Sequence, residues 1–311
     1  MSDAKNSGIQ NAAPTRAYII TGPTSGIGRA AAFELANHGT VILVGRDQGR
    51  LNEVEQALER DGKRAVSVVG DLSDIASVRR AAADIVAMNL PIAGLLNNAG
   101  VMQTRPTTTA SGWDTTFATN HLGPFAFTDA LVPHLPDGAG VLFLCSAIEN
   151  PEHKPAKVMG MRGGRFISVE ASARGEWMPG GSKMPGMDAY ATSKQCILAS
   201  ALAFARDTPR LRFNAVEPGI NPSTGLGGAN AFMRLLFGQI ITRFPPFRHY
   251  RSTPEQAARV IARILTSQSV ETGMYFDHKG IAMHGSSLAH DPKFQDRIVN
   301  ETRAFLDAVR A

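Results

Sequence analysis

The chain has 311 residues, 43% hydrophobic and 19% charged, with 30 glycines, a profile that allows a sizeable core and an enzyme-sized globular fold. Its 32 basic and 27 acidic residues leave a net charge of +5, yet the basic side chains are scattered among acids, which argues against nucleic acid as a partner. Cys145 and Cys196 lie apart in apolar segments, so neither a disulfide framework nor a metal site is suggested. The opening MSDAKNSGIQNAAPTR is polar, and no apolar run reaches the ~18–20 residues that span a bilayer. Residues 1–14 are expected to form a disordered tail, and the protein to be cytoplasmic.

From Ala17 onward, short apolar runs alternate with helix-length segments. In chain order the expected elements are strand AYII, helix 26–38, strand TVILVG, helix 48–60, strand AVSVV, helix 74–88, strand IAGLLN, helix 111–131 and strand VLFLC. Helix 188–206, strand RFNAVEPG, helix 254–266 and strand GMYFD follow. Helix 254–266 opens on Thr253, Pro254 and Gln256, an N-cap, a proline at the first helical position and a capping-box partner. Strands separated by helices imply right-handed crossovers and a parallel sheet. The strands are continuously apolar, as required when helices cover both sheet faces. The expected fold is α/β, a doubly wound parallel sheet of about seven strands in a single domain, 15–311.

Two segments break this rhythm. Residues 147–187 carry four prolines, seven glycines and one strand-like piece, RFISVE, and read as an insertion. Residues 221–251 are apolar, with four arginines and no acid between Ala231 and Arg251. They read as a lid over a site, in preference to a helix lying on a membrane surface.

The stretch YIITGPTSGIGRA puts Gly22, Gly26 and Gly28 where a strand ends and a helix begins. Glycines there allow a tight turn and bring the amides of a helix N-terminus close to a pyrophosphate. The spacing GxxxGxG differs from the commoner GxGxxG. TGPTSGIG instead resembles the TGxxxGIG loop of the short-chain dehydrogenase/reductase family. The resemblance continues, in chain order, through Asp71-Leu72, the NNAG of Asn97–Gly100, Asn120, Ser146, the YxxxK of Tyr190 and Lys194, and Pro218-Gly219. It spans about residues 17–225.

The resemblance implies a Rossmann fold binding a nicotinamide dinucleotide. Thr24, Ser25 and Ile27 would join the loop glycines at the pyrophosphate, and Asp71 and Leu72 would meet the adenine. Asn98, Ala99 and Gly100 would border the cofactor, and Pro218, Gly219, Ile220 and Ser223 would lie at the nicotinamide end. A carboxylate at the tip of the second strand suits NAD, whereas a guanidinium pairs with the 2′-phosphate of NADP. Here the tip is Arg46, followed by Asp47 and Arg50, so NADP(H) is expected over NAD(H).

Hydride transfer to a carbonyl leaves an alkoxide that needs a proton and an oxyanion partner. Tyr190 and Lys194 share a helix face at i and i+4, and a nearby ammonium is expected to lower the tyrosine pKa. In the family the tyrosine is the acid/base, the lysine binds the nicotinamide ribose, the serine hydrogen-bonds the substrate carbonyl and the asparagine holds a water. Those roles would fall to Tyr190, Lys194, Ser146 and Asn120. Ser146 precedes Tyr190 by 44 residues, where the family usually has about a dozen, so Ser168 and Ser172 of the insertion are rivals. Ser146 is preferred because GVLFLC is the better buried strand.

The layout is similar to the retinol dehydrogenase and protochlorophyllide reductase branch. The expected activity is NADP(H)-dependent hydride transfer between nicotinamide and a carbonyl or alcohol of an apolar small molecule. Alternatives are reduction of a carbon–carbon double bond, as in protochlorophyllide reductase, and a non-catalytic nucleotide sensor or scaffold. In related carbonyl reductases such an insertion covers the helix surface used for dimerisation, so both monomer and homodimer stay open.

Overall fold

The computed structural model describes residues 16–184, 186–221 and 247–309. The expected tail, 1–14, and most of the expected lid, including Ser223, lie outside the described residues. Strands β1 (Ala17–Thr21), β2 (Thr40–Gly45), β3 (Ala65–Val69), β4 (Ile92–Asn97), β5 (Gly140–Leu144), β6 (Arg212–Val216) and β7 (Met274–Phe276) form one sheet. Its order is β3-β2-β1-β4-β5-β6-β7, and all neighbours pair in parallel. The order reverses between β1 and β4, the switch point at which open α/β sheets present their ligand crevice.

Helices α1 (Gly26–Leu35), α2 (Gln48–Arg60) and α3 (Ile75–Ala87) follow the first three strands. Asp47 and Asp74 cap α2 and α3 by accepting first-turn N–H groups. Alternate strand residues face opposite layers. Ile19, Ile42 and Val44 enter one apolar cluster, whereas Ile20, Val41 and Leu43 enter the other, packed against α1 and α2. Both faces are therefore covered, which accounts for the unbroken apolar runs.

The helix expected at 111–131 is compound. A turn, α4 (Thr115–Phe117), leads into a π-helical stretch, Ala118–Leu122, and then α5 (Gly123–Leu131). Asn120 sits in the π-helical stretch, a distortion frequent at functional sites. Gly123 allows α5 to close on the β3–α3 connection, since a Cβ there would fall 2.1 Å from the Leu72 carbonyl oxygen.

The insertion holds two short helices, α6 (Lys154–Val158) and α7 (Val169–Ala173). RFISVE is not a strand: its first residues run without regular structure and Ser168 then N-caps α7, accepting the Ala171 N–H at 3.0 Å. Helix α8 (Met187–Asp207) is buried at seventeen of its 21 residues. After α9 (Pro254–Thr266), a further helix, α10 (Pro292–Ala308), packs on α8 and has no counterpart in the sequence-derived assignment. Among the described residues no helix is long and apolar enough to cross a membrane.

Gly123→Ala is expected to lower stability by about 1–3 kcal/mol, because a methyl must displace the Leu72 backbone. Thr253→Ala should cost about 1 kcal/mol through the lost capping box of α9. Urea denaturation of both variants checks the size and the order.

Candidate active site

The turn after β1 and the turn after β4 are bonded into one unit. Thr21 Oγ1 accepts the N–H groups of Asn98 and Ala99, both at 3.0 Å. Asn98 Nδ2 donates back to the carbonyls of Thr21 at 2.8 Å and Gly22 at 3.1 Å. Gly22 has φ +67°, a left-handed conformation that favours glycine. A Cβ on Gly28 would come within 2.2 Å of the Gly22 oxygen, so only glycine lets α1 start this close to the strand.

These turns border a cavity of about 780 Å³ at the C-terminal ends of the strands. Gly22, Thr24, Ser25, Gly26, Ile27 and Gly28 line one side. Ser25, at the N-cap of α1, makes no side-chain capping bond, in contrast to the aspartates that cap α2, α3 and α10. The first-turn amides of α1 are thus left for an anion, which is what a dinucleotide pyrophosphate requires. Arg46, Asp47 and Arg50 line the β2 end. Asp47 Oδ1 is committed to the Arg50 N–H as N-cap, and Arg50 Nη2 reaches the Thr24 carbonyl at 3.4 Å. Two guanidiniums therefore flank this end, where a ribose 2′-phosphate would lie. Asp71 and Leu72 also line the cavity, and Asp71 Oδ1 is held by the N–H and hydroxyl of Ser73. The donor set fits a nicotinamide dinucleotide carrying a 2′-phosphate.

At the other end Asn98, Ala99, Gly100, Ser146, Tyr190, Lys194, Pro218 and Gly219 meet. Lys194 comes from the middle of α8, is only 4% exposed, and donates to the Leu144 carbonyl at 2.7 Å. Its Nζ lies 5.7 Å from the Tyr190 ring centre. Burial holds its ammonium below the usual lysine range. Tyr190 is half-buried at the cavity wall. Contrary to the expected depression, burial pushes its phenol up to about 12; a hydrogen bond with Ser146 opposes the rise and the charge of Glu217 adds to it. The ammonium is directed at a backbone carbonyl, so desolvation of the phenolate prevails.

Asn120 is buried just behind the cavity. Its side chain bonds both backbone groups of Val101 at 2.8 Å, and its Nδ2 also donates to Ser193 Oγ at 3.1 Å. A Cβ on Gly100 would sit 3.2 Å from Asn120 Oδ1 and 3.7 Å from Lys194 Nζ, so the asparagine approaches the lysine across this glycine.

Of the rival serines, Ser168 is the cap of α7 and Ser172 is fully buried; neither lines the cavity. Ile220 is not in the wall either: its N–H bonds the Tyr250 carbonyl at 2.7 Å and its carbonyl accepts the Ser252 N–H at 3.1 Å. Ser223 lies outside the described residues. Glu217 lines the cavity and was not anticipated; burial lifts its carboxyl to about 7, against the pull of the Gly219 N–H. A lone glutamate next to Pro-Gly was its only signal in the sequence. Met102 also lines the cavity and joins a cluster with Ile148, Met159, Met161, Met187 and Tyr190, four of them from residues 147–187.

Comparison with known proteins agrees with this geometry. Residues 16–154 match the family model for short chain dehydrogenases, a match that ends inside the insertion. A protein named as the daunorubicin C-13 ketoreductase DnrU of Streptomyces sp. (strain C5) is 31% identical over 208 residues, 66% of each chain. Retinol dehydrogenase 12 of Mus musculus is 28% identical over 92% of this chain and 85% of its own. Polyprenol dehydrogenase of Mus musculus is 41% identical, but over 39% of this chain and 37% of that protein. The matched stretch thus spans little more than a third of one relative and about two thirds of another. A structure described as a short chain dehydrogenase of Escherichia coli CFT073 complexed with NADPH superposes with TM-score 0.58 at 26% identity, over 85% of this chain and 96% of that one. A short chain dehydrogenase of Burkholderia cenocepacia J2315 in complex with NADP, at 22% identity and TM-score 0.62 over 85% and 96%, shares the fold. From the bonded glycine and NNAG turns to the tyrosine and lysine of α8, sequence and architecture agree, and the chain belongs to the short-chain dehydrogenase/reductase family.

Proposed function

We propose that the protein is an NADP(H)-dependent oxidoreductase that interconverts a carbonyl and the corresponding primary or secondary alcohol on an apolar small molecule. The observation that carries this reading is that Tyr190, Ser146 and Lys194 open into the same cavity as the glycine loop and Arg46. The nicotinamide supplies or accepts the hydride when bound. Tyr190, neutral across the physiological range, gives its proton to the developing alkoxide, while the Ser146 hydroxyl donates to the same oxygen. Lys194, fixed by the Leu144 carbonyl, lines the same cavity and would bind the nicotinamide ribose. Asn120 positions the Gly100–Val101 turn and, through Ser193, the start of α8. The methionine-rich cluster around Tyr190 supports an apolar substrate, because thioether side chains adapt to irregular apolar shapes. The names of the relatives point the same way, citing retinol, polyprenol and daunorubicin.

Three outcomes test this reading. NADPH should bind more tightly than NADH in a fluorescence titration, and Arg46→Ala should erase most of that preference; equal binding of NADH by both forms would refute the assignment. Tyr190→Phe should lower turnover by about 10²–10⁴-fold with NADPH binding retained. Ser146→Ala should also fall strongly, whereas Ser172→Ala, whose hydroxyl has no partner among the described residues, should not. The third outcome concerns pH. Alcohol oxidation needs the phenolate, so its rate should climb as pH rises toward the tyrosine pKa near 12. Ionised Glu217 disfavours that phenolate, so Glu217→Gln should move the alkaline limb to lower pH. An unmoved pH–rate profile would remove Glu217 from the site's electrostatics.

A further inference from the structure

A second cavity, of about 580 Å³, has no lining residue in common with the cofactor cavity. Three pieces of chain wall it: the exposed face of α9, the strap around residues 249–251, and the turn at residues 278–279. On α9, Gln256, Arg259 and Arg263 fall at i, i+3 and i+7 and so share one face. Six of the eight lining residues are cationic or imidazole: His249, Arg251, Arg259, Arg263, His278 and Lys279. No carboxylate is among them.

The charge there is in excess of the acids around it. Arg174, Arg206, Arg210, Arg297 and Arg303 each have a carboxylate within 4 Å. Among the described residues Arg251, Arg259, Arg263 and Lys279 form no such pair. The nearest acids are occupied elsewhere or exposed. Asp277 turns Oδ1 onto the N–H groups of Lys279 and Ile281, and Glu255, exposed one turn before Arg259, attracts that guanidinium through solvent without closing an ion pair. Arg263 is held ready by one bond, Nη2 to the Lys279 carbonyl at 2.9 Å, which leaves most of its donors for a ligand. His278 lines the cavity with a buried Nδ1 that has no partner among the described residues.

We propose that this cavity is a binding site for a phosphate-class dianion carried on a larger molecule, a phosphate monoester or a pyrophosphate. Converging like charges repel one another, and a dianion between them relieves that repulsion. Planar guanidiniums match phosphate oxygens in pairs, which a carboxylate site of two oxygens would use less fully. The volume exceeds that of a bare inorganic phosphate and lies in the range of organic-ligand pockets. The site also adjoins the catalytic end of the molecule. Ile220 bridges Arg251, and a Cβ on Gly219 would meet Tyr250 and Ser252 at 2.8 Å and His278 at 3.1 Å, so the Pro218–Ile220 turn forms a partition between the two cavities.

The probe is inorganic pyrophosphate, titrated calorimetrically at low salt into protein saturated with NADPH, so that the cofactor cavity is filled. One saturable site is expected. Arg259→Glu and Lys279→Glu, at exposed positions, should each weaken it by about tenfold or more. Arg80→Glu, on α3, should leave it unchanged. If a glutamate variant unfolds, Arg259→Gln is titrated in its place with the same expectation. Vesicles of phosphatidic acid, compared with phosphatidylcholine, separate the sources. Sedimentation that Arg259→Glu abolishes identifies a lipid phosphate, whereas pyrophosphate binding without sedimentation identifies a soluble ester. Absence of both, or glutamate variants that bind as the native protein does, overturns the proposal. Should NADPH fail to bind, the oxidoreductase reading fails, while the same titration comparing the native protein with Arg259→Glu still decides this site.

Discussion

The four hydrogen bonds among Thr21, Gly22, Asn98 and Ala99 are the constraint on which the cavity end of the molecule depends. They join the ends of β1 and β4, the two strands between which the sheet order reverses. One hydroxyl serves two backbone donors and one amide serves two backbone acceptors, so the polar groups at this crossing are paired with one another. Because α1 starts at Gly26 and Lys194 lies across Gly100, the same lock sets the distance between the N-terminus of α1 and the tyrosine and lysine of α8. Neither Thr21 nor Asn98 is replaceable by an apolar residue of like shape without stranding its partners in the interior.

The insertion between β5 and α8 changes how such a site is walled. In place of a short link, residues 147–187 carry Ile148, Met159 and Met161 to Tyr190, while Glu149, fully buried, accepts the N–H and hydroxyl of Ser286. Ser146 is thereby held by its strand on one side and by an anchored carboxylate three residues later on the other. Its separation in sequence from Tyr190 does not keep the two apart in space, since both line the same cavity.

Much of this was legible in the residues, and the failures are instructive. Strands such as TVILVG and IAGLLN read plainly because burial on both faces forces continuous apolar runs, and helix 254–266 was announced by its own capping box. RFISVE misled because its apolar positions have a tertiary cause: Phe166 packs edge-on against Phe294 of α10 at 5.4 Å, and the hydroxyl of Ser168 turns the chain into a helix. Helix α10 carries an Asp-Pro start and buried residues at 294, 298, 302 and 306, three of them apolar, but lies beyond the motifs that organise the rest. At the cavity, the sequence order of the motifs pointed to residues that the fold does bring together, whereas the tyrosine pKa was not readable. Proximity of a lysine suggested a depressed value, yet desolvation depends on what packs around the ring, which no local motif encodes.

The packing of α10 on α8 bears on how the protein comes into being. Helix α8 carries the tyrosine and lysine, and its outer face is sealed by a segment made much later, after β6, α9 and β7. During synthesis, the parts of the cavity contributed by β1, β4 and β5 can dock early, while α8 remains without its cover. The face of α8 that α10 covers therefore stays open to solvent, and to chaperones, until the last helix docks.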